Sequence, residues 1–143
     1  MEKKEFISKI HELISIDLSI DGVEILYKSK EYFCAEFVSA HFNPLSYRIY
    51  INEDWLIRAD AIEIIRVVAH EMRHAYQKIC LDFPKLMDCQ LSKEVLDLWN
   101  HEFENYYNPV INTNAYVYQS IELDANDYSK SILDYLTVKN QKH

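Results

Sequence analysis

The chain has little glycine and proline, with one Gly and three Pro in 143 residues. Flexible linkers, collagen-like repeats and disordered tracts are rich in these residues, so the composition excludes all three. Hydrophobic residues make up 49% of the chain, which is enough to bury a core. The sequence therefore predicts one compact domain spanning residues 1–143.

Positive charge is also scarce, because 15 Lys and Arg stand against 23 Asp and Glu, for a net charge of -8. Binding a phosphate backbone needs the opposite sign, so we expect no nucleic-acid partner. No stretch approaches the roughly 18 apolar residues that cross a membrane, and residues 1–20 contain no apolar signal core. We therefore expect a cytoplasmic protein with no membrane partner, and the sequence leaves its oligomeric state open.

Cysteine is sparse, and Cys34, Cys80 and Cys89 form no Cys-x-x-Cys pair. An odd number of scattered cysteines is more typical of free thiols in a reducing compartment than of a disulfide framework. We expect three ordinary thiols, which agrees with a cytoplasmic location.

Hydrophobic periodicity predicts a helix, then strands, then helices, an order typical of an α+β fold. Gly22 marks a turn at which a positive φ is useful. The predicted strands are Val23–Lys28, Tyr32–Ala40 and Tyr47–Asn52, and the predicted helices are Lys3–Ile16, Asp60–Ile79, Ser92–Tyr106 and Ala115–Leu136.

The predicted helix Asp60–Ile79 contains an HExxH motif, His70-Glu71-Met72-Arg73-His74. At about 100° per residue, His70 and His74 lie one turn apart on one helix face, so both imidazoles can reach the same metal ion. The carboxylate of Glu71 can accept a hydrogen bond from a water on that ion and take its proton. Two histidines on a solvated helix face are the simpler interpretation of the pair, but the intervening glutamate favours a metal site.

A catalytic zinc site needs three protein ligands and one open position. In the last predicted helix, Glu122 and Asn126 share a face, so Glu122 can bind the metal while Asn126 accepts a hydrogen bond from a metal-bound histidine. His101 is an alternative third ligand, because a site with three histidines is also chemically competent.

The HExxH motif followed by the segment Glu122-x-x-Ala125-Asn126 resembles the gluzincin zinc metallopeptidases, and in particular the small ImmA/IrrE-like proteins. The resemblance implies the minimal zincin fold, in which a small twisted three-stranded sheet packs beside the helix that contains the HExxH motif, with further helices C-terminal to that helix. It also implies that His70, His74 and Glu122 bind Zn²⁺, that Glu71 is the general base, and that Asn126 supports a ligand. In the SprT-like zincins the third ligand is a histidine, which is the role that His101 would take.

These residues predict a zinc-dependent metallopeptidase that hydrolyses a peptide bond in a cytoplasmic protein substrate. An extended substrate is expected to pair with Tyr47–Asn52 as the edge strand of the sheet. The alternative is a non-catalytic zincin-fold module, for metal binding or interaction, of a phage or mobile-element accessory type. The presence of Glu71 favours the enzyme, because only a hydrolase needs a carboxylate beside the two histidines.

The tetrahedral oxyanion of peptide hydrolysis also needs a hydrogen-bond donor. The candidates are Tyr76, Tyr107, Tyr116 and Tyr118, with Arg73 as a weaker one. The sequence does not choose among them.

Overall fold

The structure is a computed structural model that describes residues 2–33, 38–85, 87, 91–105 and 119–141. These residues form five α-helices, one short 3₁₀-helix and a three-stranded mixed sheet, so the predicted α+β fold is confirmed. In chain order the elements are α1 (Lys3–Leu18), β1 (Glu24–Lys28), the 3₁₀-helix (Lys30–Tyr32), β2 (Ala40–Asn43), β3 (Arg48–Asn52), α2 (Glu53–Arg58), α3 (Ala61–Asp82), α4 (Lys93–Glu104) and α5 (Ser120–Gln141). None of the described helices combines the length and the apolar composition needed to cross a membrane.

Two of the predicted helices, α3 and α4, begin where a side chain caps the first turn. The side chain of Asp60 accepts a hydrogen bond from the backbone N–H of Glu63 at 2.8 Å and begins α3, and Ser92 caps α4 in the same way. The last predicted helix, Ala115–Leu136, is confirmed from Ser120 onward, because residues 106–118 lie outside the described part of the chain. The turn before β1 contains Gly22 with a φ of 76°, as predicted.

The short helix α2 was not predicted. It begins because the side chain of Asn52 accepts hydrogen bonds from the backbone N–H groups of Asp54 and Trp55. The amide of Asn52 also donates to the backbone oxygen of Val38 at 3.0 Å, which holds the end of β3 in place. The sequence signal was an asparagine followed by acidic residues at 53 and 54.

The sheet has the order β1-β3-β2, with β1 parallel and β2 antiparallel to β3. The prediction that Tyr47–Asn52 lies at the edge is therefore wrong. Ile49 pairs with Ile25 on one side and with Phe42 on the other, so both sides of β3 are hydrogen-bonded. The four consecutive residues from Ile49 to Asn52 are all buried. Because successive side chains of a strand point to opposite faces, both faces of β3 are covered, which is typical of a central strand.

The second predicted strand, Tyr32–Ala40, differs from the structure. Tyr32 lies in the 3₁₀-helix, residues 34–37 lie outside the described residues, and β2 begins at Ala40. The side chain of Asn43 ends β2, because it accepts hydrogen bonds from two backbone N–H groups of the following turn at 2.9 and 3.3 Å. Tyr47, predicted as the first residue of a strand, lies in this turn with a φ of 57°.

Helix α3 lies between two layers of the fold. It packs against α1 and β2 on one side and makes its most extensive contact among the described elements with α5. The apolar core joins residues of α3 to those of α1 and the sheet, among them Ile64, Val68, Met72, Ile7, Ile14, Ile49 and Ile51. The face of α3 that holds His74 and Gln77 is also buried, because α5 covers it.

Cys80, near the C-terminal end of α3, is buried and disulfide-bonded. The expectation of a free thiol is therefore wrong at this position. Cys34 and Cys89 lie outside the described residues.

Candidate metal centre

Helices α3 and α5 bring His70, His74 and Glu122 together. The Nε2 atoms of His70 and His74 are 3.1 Å apart. Glu122 lies in the first turn of α5, with Oε2 at 3.0 Å from Nε2 of His70 and Oε1 at 2.9 Å from Nε2 of His74. The two helices are far apart in sequence, so only their packing creates this contact.

The spacing of the three residues fits the coordination shell of one metal ion. Ligand atoms of a tetrahedral zinc site at about 2.0–2.1 Å from the metal lie about 3.3 Å from one another. The separations in this cluster are 2.9–3.1 Å, so a small movement would admit the ion. Within the described ranges, these three residues are the one group of His, Cys, Asp and Glu with ligand spacing. Two imidazoles and one carboxylate form a known donor set of catalytic zinc sites.

The carboxylate of Glu122 is buried, so it needs a positive charge beside it. Glu122 is only 2% exposed, and although burial raises the pKa of its carboxyl, hydrogen bonds from His70 and His74 bring it well below the usual range. Burial lowers the pKa of His74, but the hydrogen bond and charge of Glu122, together with the charge of Glu71, raise it to about 9. The arrangement therefore stabilises a cation, either a proton or a metal ion, beside the carboxylate of Glu122.

Glu71 lies beside this group without belonging to it. Its side chain is 9% exposed, and its charge contributes to the raised pKa of His74, so its carboxylate is near the cluster. Within the described residues, the carboxylate of Glu71 forms no hydrogen bond or salt bridge. Its oxygens are therefore able to accept a hydrogen bond from a water molecule.

Gln77 holds His74 from the side opposite the cluster. Its Oε1 lies 2.9 Å from Nδ1 of His74, and its Nε2 donates to the backbone oxygen of Ile121 at 2.9 Å and to Oδ2 of Asp124 at 2.8 Å. Sequence analysis missed this residue. The available signal was an amide three residues after the second histidine, where a side chain on the same helix face can reach the imidazole.

Asn126 does not take the supporting role that was predicted for it. It is exposed on α5, and its side chain forms no hydrogen bond within the described residues. Four residues of helix displace it about 6 Å along the axis from Glu122. Gln77 already occupies the position next to Nδ1 of His74.

His101, the alternative third ligand, lies on the exposed side of α4. Its ring Nδ1 is 3.4 Å from the amide nitrogen of Asn105, and the residue is not part of the ligand group. Glu122 is therefore the residue that the fold brings to the two histidines.

Glu102, the neighbour of His101, caps α5. Its carboxylate accepts hydrogen bonds from the backbone N–H groups of Ser120 at 2.7 Å and Ile121 at 3.0 Å, and from the hydroxyl of Ser120. A carboxylate in this position satisfies N–H groups that have no partner within the helix and interacts favourably with the helix dipole. It therefore fixes the first turn of α5, where Glu122 lies.

Arg73 links α3 to α5. Its Nε and Nη2 donate to the two carboxylate oxygens of Asp124 at 2.7 and 3.2 Å, and its guanidinium lies over the rings of Tyr76 and Tyr128. These contacts hold the guanidinium at the helix–helix interface, so Arg73 is not available as an oxyanion donor in this arrangement. Of the other donors considered, only Tyr76 lies within the described residues; Tyr107, Tyr116 and Tyr118 lie outside them.

Comparison with protein-family models, curated proteins and solved structures gives no match for this chain. The resemblance to gluzincins therefore depends on the motif residues alone. Any function has to be argued from the geometry around His70, His74 and Glu122.

Proposed function

We propose that this protein is a zinc-dependent metallopeptidase of the gluzincin type, resembling the ImmA/IrrE-like proteins, that hydrolyses a peptide bond in a protein or peptide substrate. The observation that carries the proposal is the contact of His70 and His74 with Glu122 from a following helix, with Glu71 beside them and, among the residues that the structure describes, without a hydrogen bond or salt bridge of its own. A structural cluster has no need of this second carboxylate. A hydrolase needs it as a base.

The metal would be held by Nε2 of His70, Nε2 of His74 and one carboxylate oxygen of Glu122. A zinc ion held there would act as a Lewis acid, lowering the pKa of a bound water to about 7 and polarising the scissile carbonyl. Glu71 accepts the proton of the attacking water and can donate it to the leaving amine. Imidazole and carboxylate ligands also accommodate manganese, iron, cobalt and nickel, so the choice of zinc is part of the proposal.

One observation favours the alternative of a non-catalytic metal-binding or interaction module. Glu122 forms close ion pairs with both histidines, so the cluster is already satisfied when the histidines carry a proton. A cluster of this kind can hold α3 against α5 without chemistry. The two functions differ in what they require of Glu71, since only the peptidase uses it.

The cytoplasmic location remains a prediction. The disulfide at Cys80 argues against a cytoplasmic location, because stable disulfides are rare in a reducing compartment. Alkylation of thiols under denaturing conditions in freshly lysed cells, which makes the buried Cys80 accessible, distinguishes the two locations: a reactive Cys80 indicates the cytoplasm, and a protected one indicates an oxidising compartment. The net charge of -8 continues to argue against a nucleic-acid partner.

The first experiment measures metal content in the wild type, Glu122→Ala and His101→Ala. We expect about one zinc per chain in the wild type and in His101→Ala, and loss of the metal in Glu122→Ala, because Glu122 supplies the third ligand. The exposed histidine is the matched control. A wild type that binds no metal after zinc is supplied would contradict the proposal.

The second experiment separates the peptidase from the binding module. Glu71→Gln retains the shape of the side chain but removes the base, so we expect normal zinc content and a loss of about 10²- to 10⁴-fold in peptide hydrolysis. Hydrolysis is measured by mass spectrometry of new termini in a peptide library. If the wild type binds zinc but cleaves no more than Glu71→Gln does, the protein is the non-catalytic module.

A further inference from the structure

We propose that Gln77 is a positioning residue that sets the ring orientation and the protonated nitrogen of His74, and that Asp124 and Arg73 set the orientation of Gln77 itself. The proposal rests on the proposed function only in its effect on metal binding. Its effect on the imidazole of His74 holds with or without a metal.

The amide of Gln77 has one allowed orientation. Gln77 is 0% exposed, so no solvent is available to satisfy a misplaced group. The two atoms that face its Nε2 are the backbone oxygen of Ile121 and a carboxylate oxygen of Asp124, and both can only accept hydrogen bonds. The NH₂ group must therefore point to α5, and Oε1 must point to His74.

This orientation determines which nitrogen of His74 carries a proton. Oε1 of Gln77 can only accept a hydrogen bond, so Nδ1 of His74, 2.9 Å away, must be the donor. When His74 is neutral, its lone pair is then on Nε2, the atom that faces His70 and Glu122. A hydrogen bond from the far nitrogen of a metal-binding imidazole fixes the ring and makes the ligand more basic.

The orientation of Gln77 is in turn coupled to the placement of Glu122. The carboxylate of Asp124 accepts hydrogen bonds from Nε2 of Gln77 and from two guanidinium nitrogens of Arg73. Arg73 and Gln77 lie one turn apart on α3. Asp124 is two residues after Glu122 in the first turns of α5. The same contact that orients His74 therefore sets the register of α5, which carries the third ligand.

The test uses a swap of donor and acceptor. Gln77→Met retains approximate size but removes both hydrogen-bonding functions. Gln77→Glu keeps an acceptor for His74 but places a second carboxylate against Asp124 and the backbone oxygen of Ile121. In the double variant Gln77→Glu/Asp124→Asn, the new amide can donate to the new carboxylate, and the total charge equals that of the wild type. Asn126→Ala, on the exposed side of α5, is the control.

The first readout is the Nδ1–H proton of His74 in the metal-free protein, observed by nuclear magnetic resonance as a signal protected from exchange. We expect this signal in the wild type, in Asn126→Ala and in the double variant, and its loss in Gln77→Met. The second readout is zinc affinity, measured by competition with a chromogenic chelator. We expect Gln77→Met and Gln77→Glu to bind zinc about 10- to 100-fold more weakly, and the double variant to recover about tenfold relative to Gln77→Glu.

The outcomes separate this proposal from the proposed function. If folded Gln77→Met retains the protected signal or the wild-type zinc affinity, Gln77 is only a packing residue and the inference is overturned. If Gln77→Met does not fold, Gln77→Glu and the double variant decide, since failure of the swap to restore zinc affinity contradicts the inference. If no variant binds zinc, wild type included, the proposed function fails, while the Nδ1–H signal still tests the role of Gln77.

Discussion

The two faces of α3 are buried by different means. The face that packs on α1 and the sheet is apolar, with Ile64, Val68 and Met72 in the common core. The face that packs on α5 is polar, and its contacts are hydrogen bonds and ion pairs of Arg73 and Gln77 with Asp124, and of the histidines with Glu122. An apolar contact tolerates small shifts, whereas a polar one needs every buried group to find its partner.

The difference predicts which face of α3 contributes most of the free energy of folding and which face responds to a metal ion. Apolar burial contributes to the free energy of folding in proportion to area and depends little on geometry. Buried ion pairs contribute little net stability, because their desolvation offsets their attraction. We therefore expect the apolar face of α3 to carry the fold of the metal-free protein, and the polar face to respond to metal. Four predictions test this division, in order of decreasing effect.

The largest effect is expected on the apolar face. Ile64→Ala should lower the free energy of unfolding by about 2–5 kcal/mol, because it removes a buried side chain and leaves a cavity. Urea denaturation measures this change. Ile62→Ala, on the exposed side of the same helix, is the matched control and should change stability by less than about 0.5 kcal/mol. Equal losses in the two variants would contradict the division.

Zinc should stabilise the folded protein through the polar face of α3 alone. At a free zinc concentration 100-fold above the dissociation constant, the free energy of unfolding should rise by about 2.7 kcal/mol, because the ion binds the folded state. Glu122→Ala should lose this gain, and His101→Ala should keep it. Thermal unfolding with zinc, and again after its removal by a chelator, measures the difference; a gain in Glu122→Ala would place the metal elsewhere.

Removing the cap of α5 should have a smaller effect. Glu102→Ala leaves the N–H groups of Ser120 and Ile121 without their acceptor, so we expect a loss of about 1 kcal/mol in unfolding free energy. Because Glu122 lies in the same turn, the zinc affinity should fall as well. Glu104→Ala, on the exposed part of α4, provides the comparison, and an equal effect of both variants would mean that the cap has no specific role.

The smallest effect is a loss of stability at alkaline pH. Tyr128 on α5 donates to Oδ2 of Asp17 on α1 at 2.7 Å, and burial, with this hydrogen bond and the charge of Asp17, raises its pKa above the ordinary value of 10.0. A raised pKa means that the stabilising contribution is present below pH 10 and is lost as the pH rises above 10. The difference in stability between wild type and Tyr128→Phe should be about 1 kcal/mol at pH 7 and shrink above pH 10.

Asp17→Asn provides the background for this last comparison. In that variant the hydroxyl of Tyr128 no longer faces a carboxylate, and the nearby guanidinium of Arg73 favours the ionised tyrosine, so the pH dependence of the difference should weaken. A difference that stays constant from pH 7 to 11 would show that Tyr128 contributes through packing alone.

Much of the fold was predictable because it follows from local rules. The caps at Asp60 and Ser92 and the 3.6-residue period of the apolar positions predicted α3 and α4 close to their observed bounds. The order of the strands was not predictable in this way. Ile49 and Ile51 alternate correctly for a sheet with a buried face, but alternation is the same in an edge strand and a central one.

The candidate metal ligands were also predictable only in part. The HExxH spacing places His70 and His74 on one face of a helix by geometry alone, whereas Glu122 and His101 were both open as third ligands. Packing decided between them, since α4 presents Glu102 to the start of α5 and leaves His101 exposed. Asn126 was predicted for the supporting role and Gln77 was missed, because the sequence could not reveal which polar side chain the imidazole meets.

By itself, the sequence determined the elements and the candidate chemistry, because helix caps, periodicity and the i, i+4 spacing of two histidines depend only on residues near one another in the chain. Tertiary structure alone decided that β3 is central, that α5 covers the polar face of α3, and that Gln77, Asp124 and Glu102 surround the group of His70, His74 and Glu122. These contacts include residues as far apart in the sequence as Arg73 and Asp124, which are separated by 51 positions. Hydrogen bonds across such distances depend on how whole helices pack, and no local pattern specifies that packing.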